Sequence, residues 1–408
     1  MKLSRSTGFL LALLLVVGLL ILGRSALRGD AAPRPARLTG PILLWHRWDE
    51  GQTAALLQAI ANFEQAFPGV RVVVVRQPAD ELLSRYTDAV DNGFGPDLLL
   101  GPAEWLPQLV QAHAVDPFPP ALAQELANGL FPGALRTGQD GDATYATPLA
   151  LRIWALYYNR SLVETPPLTL DDLLLQAGQG LNVGVGTSFE AALWGLGTMG
   201  GALYDDAGRL LVDKEGFTSW FTWLKNAQTN ESFVLSSNQE GLRRFFLEGK
   251  LAYLVDRSEA WTELTAGLPE NALGVRPLPS GPGGPATPLL RAHALYLNPE
   301  SSRGQRLISQ ELVRFLTAKE QQTLLMRRGG VIPVRRDVRI NSRLNPEMYA
   351  FATQARTAIP WRNDPLLLWL LEDQGDIYAQ VLDGIRTPAE AVDWLEAALQ
   401  EQQAAEGE

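Results

Sequence analysis

The stretch Pro41–Val75, PILLWHRWDEGQTAALLQAIANFEQAFPGVRVVVV, leaves few folds open to this chain, because it reads as a complete strand, helix and strand. Ile42–Trp45 is a short apolar run. Asp49 or Thr53 can cap the helix that follows, whose Leu56, Ile60, Phe63 and Phe67 recur at i, i+4, i+7 and i+11 along one face. Pro68-Gly69 stops that helix, and Val70–Val75, five valines in six residues, is too apolar for a sheet with one solvated face. Parallel pairing through a right-handed crossover follows. Ligands of such units sit beyond the carboxyl ends of the strands, so Trp45, His46, Arg47, Trp48 and Asp49 are expected at the rim of a crevice. Ordinary core packing of the two tryptophans is the alternative.

Later stretches repeat this alternation. Glu81–Asp91 presents Leu82, Leu83, Tyr86 and Val90 on one helical face, and Leu98–Leu100 is a buried strand broken by Gly101-Pro102. Glu104 and Trp105, opening the next helix, therefore reach the same rim as Trp48. Thr147–Tyr158 is a long apolar strand with a single charge, Arg152, which either serves a cleft or pairs with a carboxylate such as Asp97 or Asp256. Leu181–Val185 reads as a strand, Gly186-Thr187-Ser188 as a turn and Phe189–Met199 as a helix whose free N–H groups face a cleft. Gly195–Gly200 matches G-x-G-x-x-G but closes a helix instead of opening one, so it is no dinucleotide site. Leu251–Val255 is another buried strand, and Asp256, Arg257 and a helix bearing Trp261 form a second strand-end rim. After the proline-rich loop Pro277–Pro288, Leu289–Leu297 carries Arg291 and His293. Beyond Trp361, Asp364 caps a helix containing Trp369, and Thr387-Pro388-Ala389-Glu390 is a capping box for the last helix.

These stretches carry a resemblance. WHRWDEG, FEQAFPGVRV, GPDLLLGPAEWLPQLVQAHAVDPF, YATPLALRIWALYYNRSLVETPP, FFLEGKLAYLVDRSEAW, RRGGVIPVRRD and GIRTPAEAVDWLEAALQ, in that order over Leu38–Gln400, resemble the bacterial extracellular solute-binding proteins of ABC importers. The similarity is closest to the sugar-binding group typified by maltose-binding protein. It implies an α/β, two-lobed type II periplasmic-binding-protein fold, each lobe a mostly parallel sheet flanked by helices, with three interdomain crossings. The lobes would be residues 38–151 with 292–333 and residues 152–291 with 334–400, followed by a tail at 401–408. It also places Arg152 at the first crossing, turns Trp105 toward the ligand and puts Phe189 near the family's ligand-stacking aromatic. The implied partners are a small solute and membrane permease subunits, with the protein a monomer.

Composition excludes other classes. With 408 residues, 46% hydrophobic and 20% charged, the chain is long enough for two domains. The absence of cysteine excludes disulfides, thiolate metal sites, cysteine nucleophiles and the amino-terminal lipid that many relatives carry. The net charge of −10 becomes −15 beyond residue 37, where 29 basic residues face 44 acidic ones, and nucleic acid is not expected as a partner. Gly8–Gly23, sixteen uncharged residues after Lys2 and Arg5, would span ~24 Å as a helix. Residues 1–37 read as a signal anchor or signal peptide with an extended linker, the anchor being favoured because no clean cleavage site follows.

The chemistry inventory points to binding. The chain has three histidines and no G-x-S-x-G elbow, P-loop or metal-ligand pattern, so no cofactor, metal or catalytic residue is expected. The enzymatic alternative is a glycoside hydrolase using Glu104 and Asp256. Another is a degenerate binding fold kept as a membrane-anchored sensor or scaffold. For a binder, Trp45, Trp48, Trp105, Phe189, Trp261, Trp361 and Trp369 supply rings for sugar faces. His46, Arg47, Arg152, Arg257, Arg291 and His293 either take an acidic sugar, a uronate or sugar phosphate, or neutralise Asp49, Glu104, Asp256 and Glu259 in the walls.

Overall fold

The computed structural model describes residues 38–406. The apolar run Gly8–Gly23, its linker and the last two residues of the tail lie outside the described residues. Strand β1 (Gly40–His46), the helix Glu50–Ala66 and strand β2 (Val70–Arg76) form the unit read from sequence, with β1 and β2 parallel and Leu44 opposite Val74. Asp49 caps the helix by accepting from the Gln52 N–H at 2.8 Å, and Leu56, Ile60 and Phe63 are buried. β2 lies at the sheet edge: Val70 and Val72 are buried while Val73 is 47% exposed, so its valines serve one face.

β3 (Leu98–Pro102) pairs with β1 on the other side, also in parallel. β4 (Ala146–Arg152) and β5 (Trp154–Asn159) are one apolar run divided at Ile153, the first part in the first sheet and the second part in another. That second sheet gathers β6 (Val183–Gly186), β7 (Phe233–Ser236), β8 (Tyr253–Arg257) and β9 (Leu273–Arg276) in the order β9-β5-β8-β6-β7. β6 pairs in parallel with β7 and β8, while β5 runs antiparallel to β8 and β9. β10 (Leu289–Leu297) returns to the first sheet, antiparallel to both β3 and β4, and β11 (Ile359–Pro360) pairs with its beginning. The result is two α/β lobes.

Three connections join them, at Ile153, before β10 and after Arg336. The last comes later than the expected Pro333–Val334. The Phe131 N–H still donates to the Val334 carbonyl, and the Arg336 N–H to that of Gly129, both beside the first sheet. Further along, the helix Pro346–Gln354 packs on the second sheet, against β9 and β5.

Two further expectations are corrected. Phe189–Met199 is not one helix but two short ones, Phe189–Ala192 and Gly195–Thr198, parted at Leu193-Trp194, where the Trp220 indole donates to the Ala192 carbonyl at 2.9 Å. A Cβ at Gly195 would lie 2.0 Å from the Trp220 ring. The final helix, Pro388–Glu406, runs past the expected end at Gln400, its capping box formed by Thr387 and Glu390.

Candidate ligand cleft

A cavity of about 590 Å³ lies between the lobes. The first lobe contributes Arg47 and Asp49, just beyond β1, and Gln52 on the following helix; the second contributes Arg257, Ser258 and Glu259 from the end of β8, then Trp261 and Thr262. The connections supply Ala150–Arg152, His293 and Gly329–Ile332, and the helix Pro346–Gln354 adds Glu347, Met348 and Phe351, with Asn345 just before it. The Thr262 hydroxyl already reaches Asp49 Oδ2 across the gap at 3.4 Å.

A largely buried ion network adjoins this surface. Arg152 Nη1 donates to Glu104 Oε1 at 2.9 Å, and its Nε donates to Glu259. Arg291 Nη1 reaches the same Glu104 oxygen at 2.8 Å, while its Nη2 reaches Glu190 at 2.8 Å. Burial raises the pKa of Glu104, but Arg152 and Arg291 outweigh it and hold the carboxyl below its ordinary value. Glu190 also accepts from the Trp154 indole at 3.2 Å, and Arg291 lies 4.6 Å over the Trp361 ring. The partners foreseen for Arg152, Asp97 and Asp256, are engaged elsewhere: Asp97 accepts from Leu43 N–H, and Asp256 pairs with Arg243 at 2.9 Å.

Hydrogen bonds also set the histidine tautomers. The Trp48 indole donates to His293 Nδ1 at 2.9 Å, and the Trp48 backbone N–H to His46 Nδ1 at 3.1 Å. Each neutral ring therefore carries its proton on Nε2. Burial, then the Arg152 charge, pushes His293 down to about 3; burial, then Arg76, pushes His46 down to about 4.

Of the residues singled out from sequence, Arg152, Arg257, Trp261 and His293 line the cavity, together with Arg47, Asp49 and Glu259. The others do not. Trp48 and His46 are buried one layer behind, Glu104 and Arg291 belong to the ion network, and Trp45 and Trp105 pack against the first-lobe cluster that holds Tyr86 and Leu99. Phe189 is fully buried in the second lobe with Tyr378 edge-on at 5.5 Å, so it cannot stack on a ligand. Trp361 is buried beneath Arg291, and Trp369 packs against the second-lobe core. Sequence reading missed Gln52, Thr262, Asn345, Met348 and Phe351. Thr262 is adjacent to Trp261 and could have been found from it, whereas 345–351 carry no local signal of their own.

Residues 58–349 match the family model described as bacterial extracellular solute-binding protein. The chain belongs to that family. Its members are extracellular, which places the body of the chain outside the cytoplasm. Among its relatives is a maltotriose-binding protein of Pyrococcus abyssi, 24% identical over 33% of this chain and only 29% of the relative's length. A probable ABC transporter-binding protein of Deinococcus radiodurans is 24% identical over 62% of this chain and 66% of the relative. A cyclo/maltodextrin-binding protein solved with maltotetraose superimposes with a TM-score of 0.74 at 21% identity, covering 91% of this chain and 98% of that one. The GacH receptor of Streptomyces glaucescens, solved unliganded and with acarbose, gives 0.73 at 21% identity over 89% and 98%. These likenesses show the two-lobed type II periplasmic-binding-protein fold. Among the described residues no helix is long and apolar enough to cross a membrane.

Proposed function

We propose that the protein captures a carbohydrate or related polyol in the interlobe cleft, closes on it by hinge motion and delivers it to the permease subunits of an ABC importer. The observation that carries this reading is the two-sided lining of the cavity. Trp261 and Phe351 offer apolar ring surface, while Gln52, Thr262, His293 and Asn345 offer hydrogen-bonding groups. Sugars present those two kinds of surface, flat C–H faces and an equator of hydroxyls. The ligands named for the relatives, maltotriose, maltotetraose and acarbose, support the same class.

The protein acts as a binder and not a hydrolase. Glu104 is held between two arginines and Asp256 by Arg243, and neither lines the cavity, so the pair foreseen for cleaving a glycoside is not presented to a solute there. Arg47, Arg257, Trp261 and His293 are the proposed ligand contacts foreseen from sequence, with Arg152 held in the wall by Glu104 and Glu259, and the residues missed there complete the set. We assign residues 38–152 with 289–336 to the first lobe, 153–288 with 337–400 to the second, and Gly8–Gly23 to membrane attachment of a monomer.

A thermal-shift series with neutral and acidic sugars, paired with chromatography for product release, tests this. Saturable stabilisation without turnover is expected, about 2.7 kcal/mol at a hundredfold excess over Kd. Steady release of product from oligosaccharides would overturn the binding reading.

A further inference from the structure

We infer that the solute carries an anionic group, a carboxylate or a phosphate on its sugar or polyol framework, and that Arg47 and Arg257, one from each lobe, hold it. The inference rests on the carbohydrate reading of the cleft and narrows it.

The charges around the cavity do not balance. Arg47, Arg152, Arg257 and Arg327 line it against Asp49, Glu259 and Glu347. Arg152 is paired with Glu259 and Glu104. Glu347 is taken by Arg160 at 2.6 Å, and Asp49 accepts from the Gln52 N–H and the Thr262 hydroxyl. Among the described residues, neither Arg47 nor Arg257 has a carboxylate within 4.0 Å, and no hydrogen bond of either guanidinium is formed. Each is instead placed over an aromatic ring, Arg47 at 5.9 Å from Trp105 and Arg257 at 5.3 Å from Trp154. A ring face orients a guanidinium while leaving its N–H fork free for a planar or tetrahedral anion.

Their position matters as much as their lack of partners. Arg47 follows β1 and Arg257 ends β8, so each stands where a sheet of its own lobe meets the cleft. Both are half-buried already. Burial, then the Arg152 charge, lowers the pKa of Arg47, outweighing the pull of Glu104, Glu259 and Asp80. Closing the lobes on a neutral solute would confine two unpaired cations in a water-poor space, a costly arrangement. A carboxylate or phosphate between them converts that cost into charge-assisted hydrogen bonds. The structure thereby separates the arginines foreseen from sequence: Arg152 and Arg291 are committed to the walls, whereas Arg47 and Arg257 remain for the solute.

The test is calorimetric titration of ligand-stripped protein with matched sets: glucose, glucuronate and glucose 6-phosphate, then galactose, galacturonate and galactose 6-phosphate. Titrations run at about 20 and about 300 mM NaCl, on either side of strong screening. At least one acidic member is expected to bind about tenfold or more tighter than its neutral parent at low salt, with the gap shrinking at high salt. Arg47→Gln and Arg257→Gln should each bring that acidic sugar toward its parent's affinity with the unliganded melting temperature unchanged, and Arg47→Lys should keep part of the gap. The uronate and phosphate arms show which anion is preferred. Neutral parents binding as well as their acidic partners at both salts would overturn the inference while leaving the carbohydrate reading standing. An acidic preference surviving both glutamine variants would overturn the assignment to these arginines. If neither neutral nor acidic sugars bind, the carbohydrate reading falls and the inference with it.

Discussion

Glu104 shows what single residues decide here. Its one oxygen serves both Arg152 and Arg291, and its side chain is only 10% exposed. Removing one partner from a buried set leaves the others uncompensated, so Glu104→Gln should lower stability by about 3–5 kcal/mol in urea denaturation. A loss under about 1 kcal/mol would place the network in the class of surface pairs. The histidines give a pH prediction of definite sign. His46 and His293 sit at about 4 and about 3 in the folded protein against about 6.5 unfolded, so below pH 6.5 the unfolded chain binds more protons. Their contribution to stability is present above pH 6.5 and is lost as pH falls toward 3. The melting temperature of the unliganded protein should therefore drop over that range, and less steeply in His293→Asn, where one of the two groups is gone. Which rings face the cleft was not legible in the sequence. A Trp or Phe near a strand end has the same local pattern whether it points into the lobe, as Phe189 and Trp361 do, or into the gap, as Trp261 does. Arg152 illustrates the same limit, because its partner Glu259 lies 107 residues away.

At the scale of elements, periodicity carried most of the information. The helix Glu50–Ala66 buries Leu56, Ile60 and Phe63 as their spacing implies, and the Asp364 and Thr387 caps form where the residue types put them. The two short helices after Ser188 were illegible as such, since the break falls at Leu193-Trp194, two residues that are not helix breakers, beside the Trp220 indole of a distant helix. Gly330 is a case where the type was informative: it ends the helix Lys319–Gly329 in the left-handed region, at φ 62°, where the chain turns toward the third connection. Gly330→Ala should cost about 1 kcal/mol, read as a lower urea midpoint with an unchanged slope. No change at all would mean that the turn relaxes without strain.

At the scale of the molecule, the order of the sequence motifs carried the two-lobed fold, while the exact passages between lobes depended on contacts that motifs do not encode, such as Val334 with Phe131. The ion network also belongs to this scale. Glu104 follows β3 of the first sheet, Arg152 and Arg291 sit on the strands beside the connections, and Glu190 and Glu259 belong to the second lobe, so the charges tie both lobes together beside the hinge. Hinge closure on a solute predicts a smaller radius of gyration in solution scattering when a binding sugar is added, and none of that compaction in a sugar that does not bind. The most direct test is mass spectrometry of the small molecules released on denaturing protein purified under native conditions. A stoichiometric carbohydrate or polyol bearing a carboxylate or phosphate is the predicted result. Stoichiometric release of a peptide, an amino acid or a metal ion in its place would contradict the account.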